Sequence, residues 1–176
     1  MQLLTSLQDR KNALEEFIYD QRSKLDDRHK AYVQANEKEA FLKELSAAEE
    51  WLYSEEGEDA TKSTYVQRLD ALQKLGNPII ERYQENDARP RAASQLREAL
   101  NTYMSAATSG DEKYSHLTDE DKQKVIEKCA NVDKWLNDNL AKQAEMPKNV
   151  KPKITSAEIC PMLDAPGAQN SPRSYS

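Results

Sequence analysis

Apolar residues in the first quarter of the chain recur at a spacing that a helix can use and a strand cannot. Leu7, Leu14, Ile18, Leu25 and Tyr32 are separated by seven, four, seven and seven residues, so at 3.6 residues per turn they form one stripe along a helix. The pattern resumes beyond the polar patch at Gln34–Lys38, with Phe41, Leu45, Ala48 and Leu52. Val125, Cys129, Val132, Leu136 and Leu140 make a second clean stripe near the other end. Breakers are scarce, since 4 glycines and 7 prolines in 176 residues are about half the usual share. Ala (20) and Leu (17) far outnumber Ile (6) and Val (5), which favours helices over sheets. The fold class that follows is all-α, a helical bundle with one buried and one solvated face per helix.

Punctuation sets the expected organisation. One long helix or two consecutive ones fit the first 52 residues, with a soft seam near Asn36. Tyr65, Leu69 and Leu72 mark a helix ending near Leu75, before Gly76. Asn77 then caps a new start with Pro78 at its first position. Pro90 predicts another restart, burying Leu96, Leu100 and Tyr103. After the loop "SGDEKYSH", Thr118 with Asp121 three residues on resembles a capping box for the last stripe. Pro147, Pro152, Pro161, Pro166 and Pro172 crowd the end, where the periodicity stops. Residues 1–145 are therefore expected to form the helical body and residues 146–176 a flexible, Pro-rich tail, disordered or loosely docked.

The chemistry of the chain excludes several classes of function. Net charge is −6, and the residues after Glu145 are on balance basic, so the body is more acidic still. Nucleic acid and anionic membranes need a basic footprint, so neither is an expected partner. Two cysteines cannot make a disulfide framework, "MQLLTSLQDRK" is too polar for a signal peptide, and no apolar run could span a bilayer. The expected location is cytoplasmic. His29 and His116 are far apart and neither is near a cysteine, no glycine-rich loop could cradle a phosphate, and no nucleophile has a local base. No catalytic residue, metal ligand or cofactor is expected in this chain, and it does not read as an enzyme. Trp51-Leu52 and Trp135-Leu136 read as core anchors, and Cys129, on an apolar stripe, as an inert small hydrophobe.

One juncture stands out: "EEWLYSEEGEDATKSTYVQRL" runs an apolar triplet into an acidic loop. Trp51 and Leu52 would close the core at a helix end, with Gly57 letting the chain reverse. Glu58 and Asp59 would then complement the N-terminus of the following helix.

"KNALEEFIYDQRSKL" (residues 11–25), "EEWLYSEEGEDATKSTYVQRLDALQKLGNPIIERYQE" (residues 49–85) and "ARP" (residues 88–90) closely resemble the C-terminal helical region of the heat shock protein 110 family, the large relatives of heat shock protein 70. The resemblance covers about half the chain, and its ordered run from Trp-Leu-Tyr to Leu-Gly-Asn-Pro-Ile-Ile is specific. It implies an antiparallel bundle of the three-helix lid type with additional C-terminal helices. It also implies a nucleotide exchange co-chaperone that embraces the nucleotide-binding domain of heat shock protein 70 and holds unfolded clients. ATP is expected only in the family's N-terminal domain, which this chain lacks. The family's Asn-x-Leu-Glu motif, which contributes partner contacts, matches here as Asn12 and Glu15, with Leu14 facing inward. Asn12 and Glu15 lie one turn apart and off the apolar stripe, so they can share an exposed face. The acidic Glu-Glu-Val-Asp terminus of heat shock protein 70 has no counterpart in the closing Arg173-Ser-Tyr-Ser. A structural or adaptor bundle of spectrin type is the alternative; it accounts for the stripes but not for the Leu-Gly-Asn-Pro-Ile-Ile element.

Overall fold

The structure, a computed structural model, describes residues 2–110 and 112–163. Its regular elements are α1 (Gln2–Asp26), a 3-10 turn (Lys30–Tyr32), α2 (Ala35–Leu52), the single-turn α3 (Glu55–Glu58) and the long α4 (Lys62–Thr108). A second 3-10 turn (Glu112–Tyr114), α5 (Asp119–Glu145), the single-turn α6 (Ser156–Ile159) and a last 3-10 turn (Cys160–Leu163) follow. No strand occurs among the described residues, so the protein is all-α.

The chain forms two compact units. The first comprises the residues up to Gln84 together with Pro147–Lys151; the second comprises Glu85–Met146 together with the described residues from Pro152 on. In the first, the predicted stripe is the core: Leu14, Ile18 and Leu25 of α1 pack with Phe41, Leu45, Trp51 and Leu52 of α2 and with Tyr65, Leu72 and Ile79 of α4. The seam expected near Asn36 falls just before it. Here Gln34 caps α2 in a full capping box, its side chain accepting from the Glu37 N–H while the Glu37 carboxylate accepts from the Gln34 N–H, which satisfies donors a helix start otherwise leaves orphaned.

The helix breaks expected at Gly76–Pro78 and at Pro90 do not occur, and α4 runs through all three positions for 47 residues. An interior proline removes one i→i−4 hydrogen bond and costs about 3 kcal/mol. Both prolines lie on the exposed side, while the opposite face buries Leu72 and Ile79 in the first unit and Ala92, Ala93, Leu96 and Leu100 in the second. Burying one large aliphatic side chain contributes about 1.5–3 kcal/mol, so two or three such residues offset each proline. Gly76 is a contact rather than a stop. A Cβ there would sit 3.0 Å from Phe41 Cζ and 3.4 Å from Phe17 Cζ, so the glycine lets two aromatic rings approach the helix.

The acidic juncture also differs from expectation. Trp51 and Leu52 are buried as predicted, but Tyr53, the third member of the triplet, is 52% exposed. Ser54 caps α3, accepting from the Gly57 N–H at 3.2 Å. Gly57 is required by close approach: a Cβ would lie 1.9 Å from the Trp51 carbonyl oxygen, and among the described residues no glycine has a positive φ. Glu58 and Asp59 end α3 rather than open α4, whose first turn carries no acid; Thr61 receives the Thr64 N–H at that start.

In the second unit, α5 begins as predicted, Thr118 accepting from the Asp121 N–H at 3.1 Å. It buries Cys129 and Leu136 against the α4 residues, with Trp135 packed at the edge of the cluster. Helix α5 ends at Glu145, and residues 146–163 follow it as a strap. Ile154 and Ile159 are both 0% exposed, and α4 and α5 hold the strap by its backbone. Arg89 Nε donates to the Ile154 carbonyl at 2.8 Å, Gln143 Oε1 accepts from the Lys153 N–H at 2.7 Å, and Glu85 accepts from the Ser156 N–H and hydroxyl at 2.8 and 2.7 Å. Within the first unit, Gln34 Nε2 donates to the Asn149 carbonyl at 3.2 Å and Lys148 lies 5.9 Å from the Tyr32 ring. The rest of the expected tail, residues 164–176, lies outside the described residues.

Candidate functional site

Helix α1 carries two faces with different tasks. Leu14, Ile18, Gln21 and Leu25 are buried. The ridge Gln8, Asn12, Glu15, Tyr19 and Arg22, spaced by three and four residues, runs along another face. Along its C-terminal half this ridge is tied to α2 and the turn after it. Arg22 pairs with Glu49 at 2.5 Å and donates to Ser46 Oγ at 3.2 Å, and that guanidinium holds the Glu49 carboxyl below the usual carboxylate range. The Tyr53 phenol donates a short hydrogen bond to Glu15 Oε1, and the Tyr19 and Tyr53 hydroxyls lie 3.1 Å apart. Accepting that bond makes the Glu15 carboxylate disfavour a second negative charge beside it, which pushes the Tyr53 phenol well above its ordinary value.

The two residues singled out from the sequence are therefore held differently. Asn12 is exposed and, among the described residues, bonded along its own helix, its Oδ1 accepting from Gln8 Nε2 at 2.9 Å. Glu15, one turn on, is half-buried and fixed across the helix pair by Tyr53. Leu14 between them faces inward at 0% exposure. Beside Glu15 opens a groove of ≈ 830 Å³, lined also by Glu16, Phe17, Asp20, Leu69 and Gln73. Tyr19 and Tyr53 were missed as site residues. Tyr19 follows Glu15 by four positions, a signal legible from helical spacing; the arrival of Tyr53 needs the α1–α2 packing.

Trp51 is a core anchor, as expected. The Tyr65 ring meets it edge-on at 5.8 Å, the Arg68 guanidinium lies 4.0 Å over its face, and the Tyr65 hydroxyl donates to the Gly57 carbonyl at 2.5 Å. Burial raises the Cys129 thiol above its ordinary value, which suits an unreactive packing role. Among the described residues no helix is long and apolar enough to cross a membrane, and no group of three or more His, Cys, Asp or Glu could hold a metal ion.

The described residues thus form an all-α fold in which α1 carries an outward polar ridge. The family models place it further. Residues 2–85 match the model described as Hsp70 protein, and residues 100–164 the one described as HYOU1-like, C-terminal domain. "Heat shock 70 kDa protein 15" of Arabidopsis thaliana is 40% identical over 157 residues, 89% of this chain and 19% of that protein. The "97 kDa heat shock protein" of Strongylocentrotus purpuratus is 39% identical over 155 residues, covering 86% and 17%. "Heat shock 70 kDa protein 4" of Canis lupus familiaris is 34% identical over 154 residues, covering 86% and 18%. No solved structure matches the chain significantly. The chain belongs to the heat shock protein 110/70 family of chaperones and corresponds to its C-terminal helical region. It spans about a fifth of the length of the curated relatives it matches.

Proposed function

We propose that the chain is the partner-docking helical region of a cytoplasmic co-chaperone that promotes nucleotide exchange on heat shock protein 70 and holds unfolded clients. Asn12 and Glu15 contact the partner's nucleotide-binding domain. What carries the reading is the state of that pair: two polar side chains one turn apart, on a helix whose opposite face is locked into a core, one of them exposed and the other pre-oriented by Tyr53. Such a pair can meet a partner without reorganising the bundle, so little ordering entropy is lost on docking. Family membership and the fit of Asn12-x-Leu14-Glu15 to the family motif support the same assignment.

The test is Asn12→Tyr combined with Glu15→Ala. Placed in a chaperone that carries this region, the double variant weakens stimulation of nucleotide release from heat shock protein 70 and leaves the melting temperature within a few degrees. Unchanged release at an unchanged melting temperature refutes the assignment. Client holding is checked separately by light scattering of a thermally aggregating protein; no suppression at molar excess of the 176-residue chain limits it to docking.

A further inference from the structure

The second unit holds part of its own chain as though it were a bound peptide. Residues 151–155 are not helical, and α4 and α5 grip this stretch and the turn after it by the backbone. Gln143 Oε1 accepts from the Lys153 N–H at 2.7 Å and from the Ile154 N–H at 3.4 Å. Arg89 Nε donates to the Ile154 carbonyl at 2.8 Å, and Glu85 accepts from the Ser156 N–H at 2.8 Å. These bonds need a free backbone and are indifferent to the side chains it carries. Selectivity comes from two positions five residues apart, Ile154 and Ile159, both 0% exposed in the apolar cluster of α4 and α5. Lys153, Ala157 and Glu158 are exposed. Within a helix or a sheet interior the backbone N–H and carbonyl groups are already paired, so a folded partner offers this groove little to bind. An unfolded chain offers unpaired backbone groups and aliphatic side chains with apolar surface to bury.

We infer that the α4–α5 groove of the second unit is a binding site for extended segments of unfolded proteins that carry two large aliphatic residues five positions apart, and that the strap occupies it in cis as a displaceable stand-in. The inference rests on the client-holding role proposed above and adds the surface that holds the client and the kind of segment it takes. A tethered occupant competes at an effective concentration of order millimolar. The apparent affinity for a client therefore falls in proportion to the fraction of chains with the strap released. The strap is at once the template for the client and the brake on its binding.

The experiment uses the 176-residue chain, a fluorescent peptide of residues 151–163, and a reduced, alkylated protein that stays unfolded as competitor. Two variants release the strap by different routes. Ser156→Pro removes both bonds to Glu85, and the extended Thr155 backbone (φ −114°, ψ 158°) already suits a following proline. Ile159→Asp places a charge in the apolar cluster. Release is read from faster tryptic cleavage after Lys153, and the state of the groove from Trp135, which packs against the same cluster. An opened chain is expected to bind the peptide roughly tenfold more tightly than wild type, to lose it to the unfolded protein, and to ignore a peptide carrying Ile154→Asp and Ile159→Asp. If the opened chain binds the peptide but the unfolded protein never displaces it, the groove is private to the strap and the inference is overturned. Binding of neither probe to an opened, folded chain overturns it too. So does a strap that neither variant releases, or a second unit that unfolds whenever the strap leaves, because no free groove then exists. Light scattering separates this failure from that of the holding role. Suppression of aggregation by wild type and opened chains alike, without binding in the groove, places holding elsewhere, whereas no suppression by either removes the holding role itself.

Discussion

Ile154 tests whether the strap belongs to the second unit's core. Its side chain is 0% exposed and packs in the cluster formed by α4 and α5. Ile154→Ala removes three buried carbons, which at about 0.8 kcal/mol each is roughly 2.4 kcal/mol of lost transfer free energy. A residual cavity of about 40 Å³ adds about 1 kcal/mol. The expected loss is therefore about 3.4 kcal/mol, with Ile154→Val costing only about 0.5–1.5 kcal/mol. The two tryptophans divide the readout, since Trp51 lies in the first unit's core and Trp135 against the second's. In a Trp51→Phe background, Trp135 fluorescence reports on the second unit alone. With a urea m-value of about 2 kcal/mol/M, the midpoint followed by Trp135 should fall by about 1.7 M. A loss below about 1 kcal/mol for Ile154→Ala would show that the strap is dispensable to the core, and the reasoning from burial would fail.

Four further outcomes follow from named contacts. Gly57→Ala forces a Cβ against the Trp51 carbonyl and is expected to cost about 3 kcal/mol or more in a thermal or urea melt; Gly110→Ala, with nothing within 4 Å of the added carbon, is the neutral control. Arg82 makes two hydrogen bonds to Glu37 at 2.9 and 3.1 Å and one to the Tyr32 carbonyl at 3.0 Å. Arg82→Met is expected to cost about 1.5–3 kcal/mol, below the penalty for a fully buried pair because Glu37 is partly solvated. The Arg82 guanidinium holds the Glu37 carboxyl below its ordinary value of 4.5. This stability is thus complete above pH 4.5 and lost as pH falls through the folded-state value, a slope that Arg82→Met should remove from an acid titration of stability. His29 is 2% exposed, and burial, with Lys24 next, pushes its imidazole below 6.5. The unfolded chain then takes up the proton first, so stability is full above pH 6.5 and declines below it; His29→Phe, which keeps a ring against Tyr83 at 5.0 Å, should flatten that part of the curve.

The parts of the fold legible in the sequence are those set by local period. The Leu14–Ile18–Leu25 stripe, the α2 stripe, the Thr118 cap and the Cys129–Leu136 stripe are all functions of neighbours within a few residues, and each forms as read. The misread elements share a different cause. Gly76, Pro78 and Pro90 carry strong local stop signals, yet contacts with Phe17 and Phe41 and the burial of Leu96 and Leu100 outweigh them. Ile154 and Ile159 sit among prolines and lysines with no repeating pattern, so only their tertiary partners mark them as core. The candidate site divides in the same way. Asn12 and Glu15 follow from helical spacing and family motif, whereas Tyr53 reaches Glu15 across 38 residues of sequence, and nothing local announces that meeting.

The strap also sets the order in which the chain can finish folding. Gln34 meets Asn149 across 115 residues, and Glu85 meets Ser156 across 71. Closing such long loops is entropically slow, and non-local contacts lengthen folding times. During synthesis α1 and α2 leave the ribosome before α4 and α5, but neither unit is complete until the segment around residues 148–159 has followed. In that interval the α4 face of Ala92, Ala93, Leu96 and Leu100 lacks the part of its cover that Ile154 and Ile159 supply. This chaperone region is itself, for part of its own biogenesis, a chain with an exposed apolar surface.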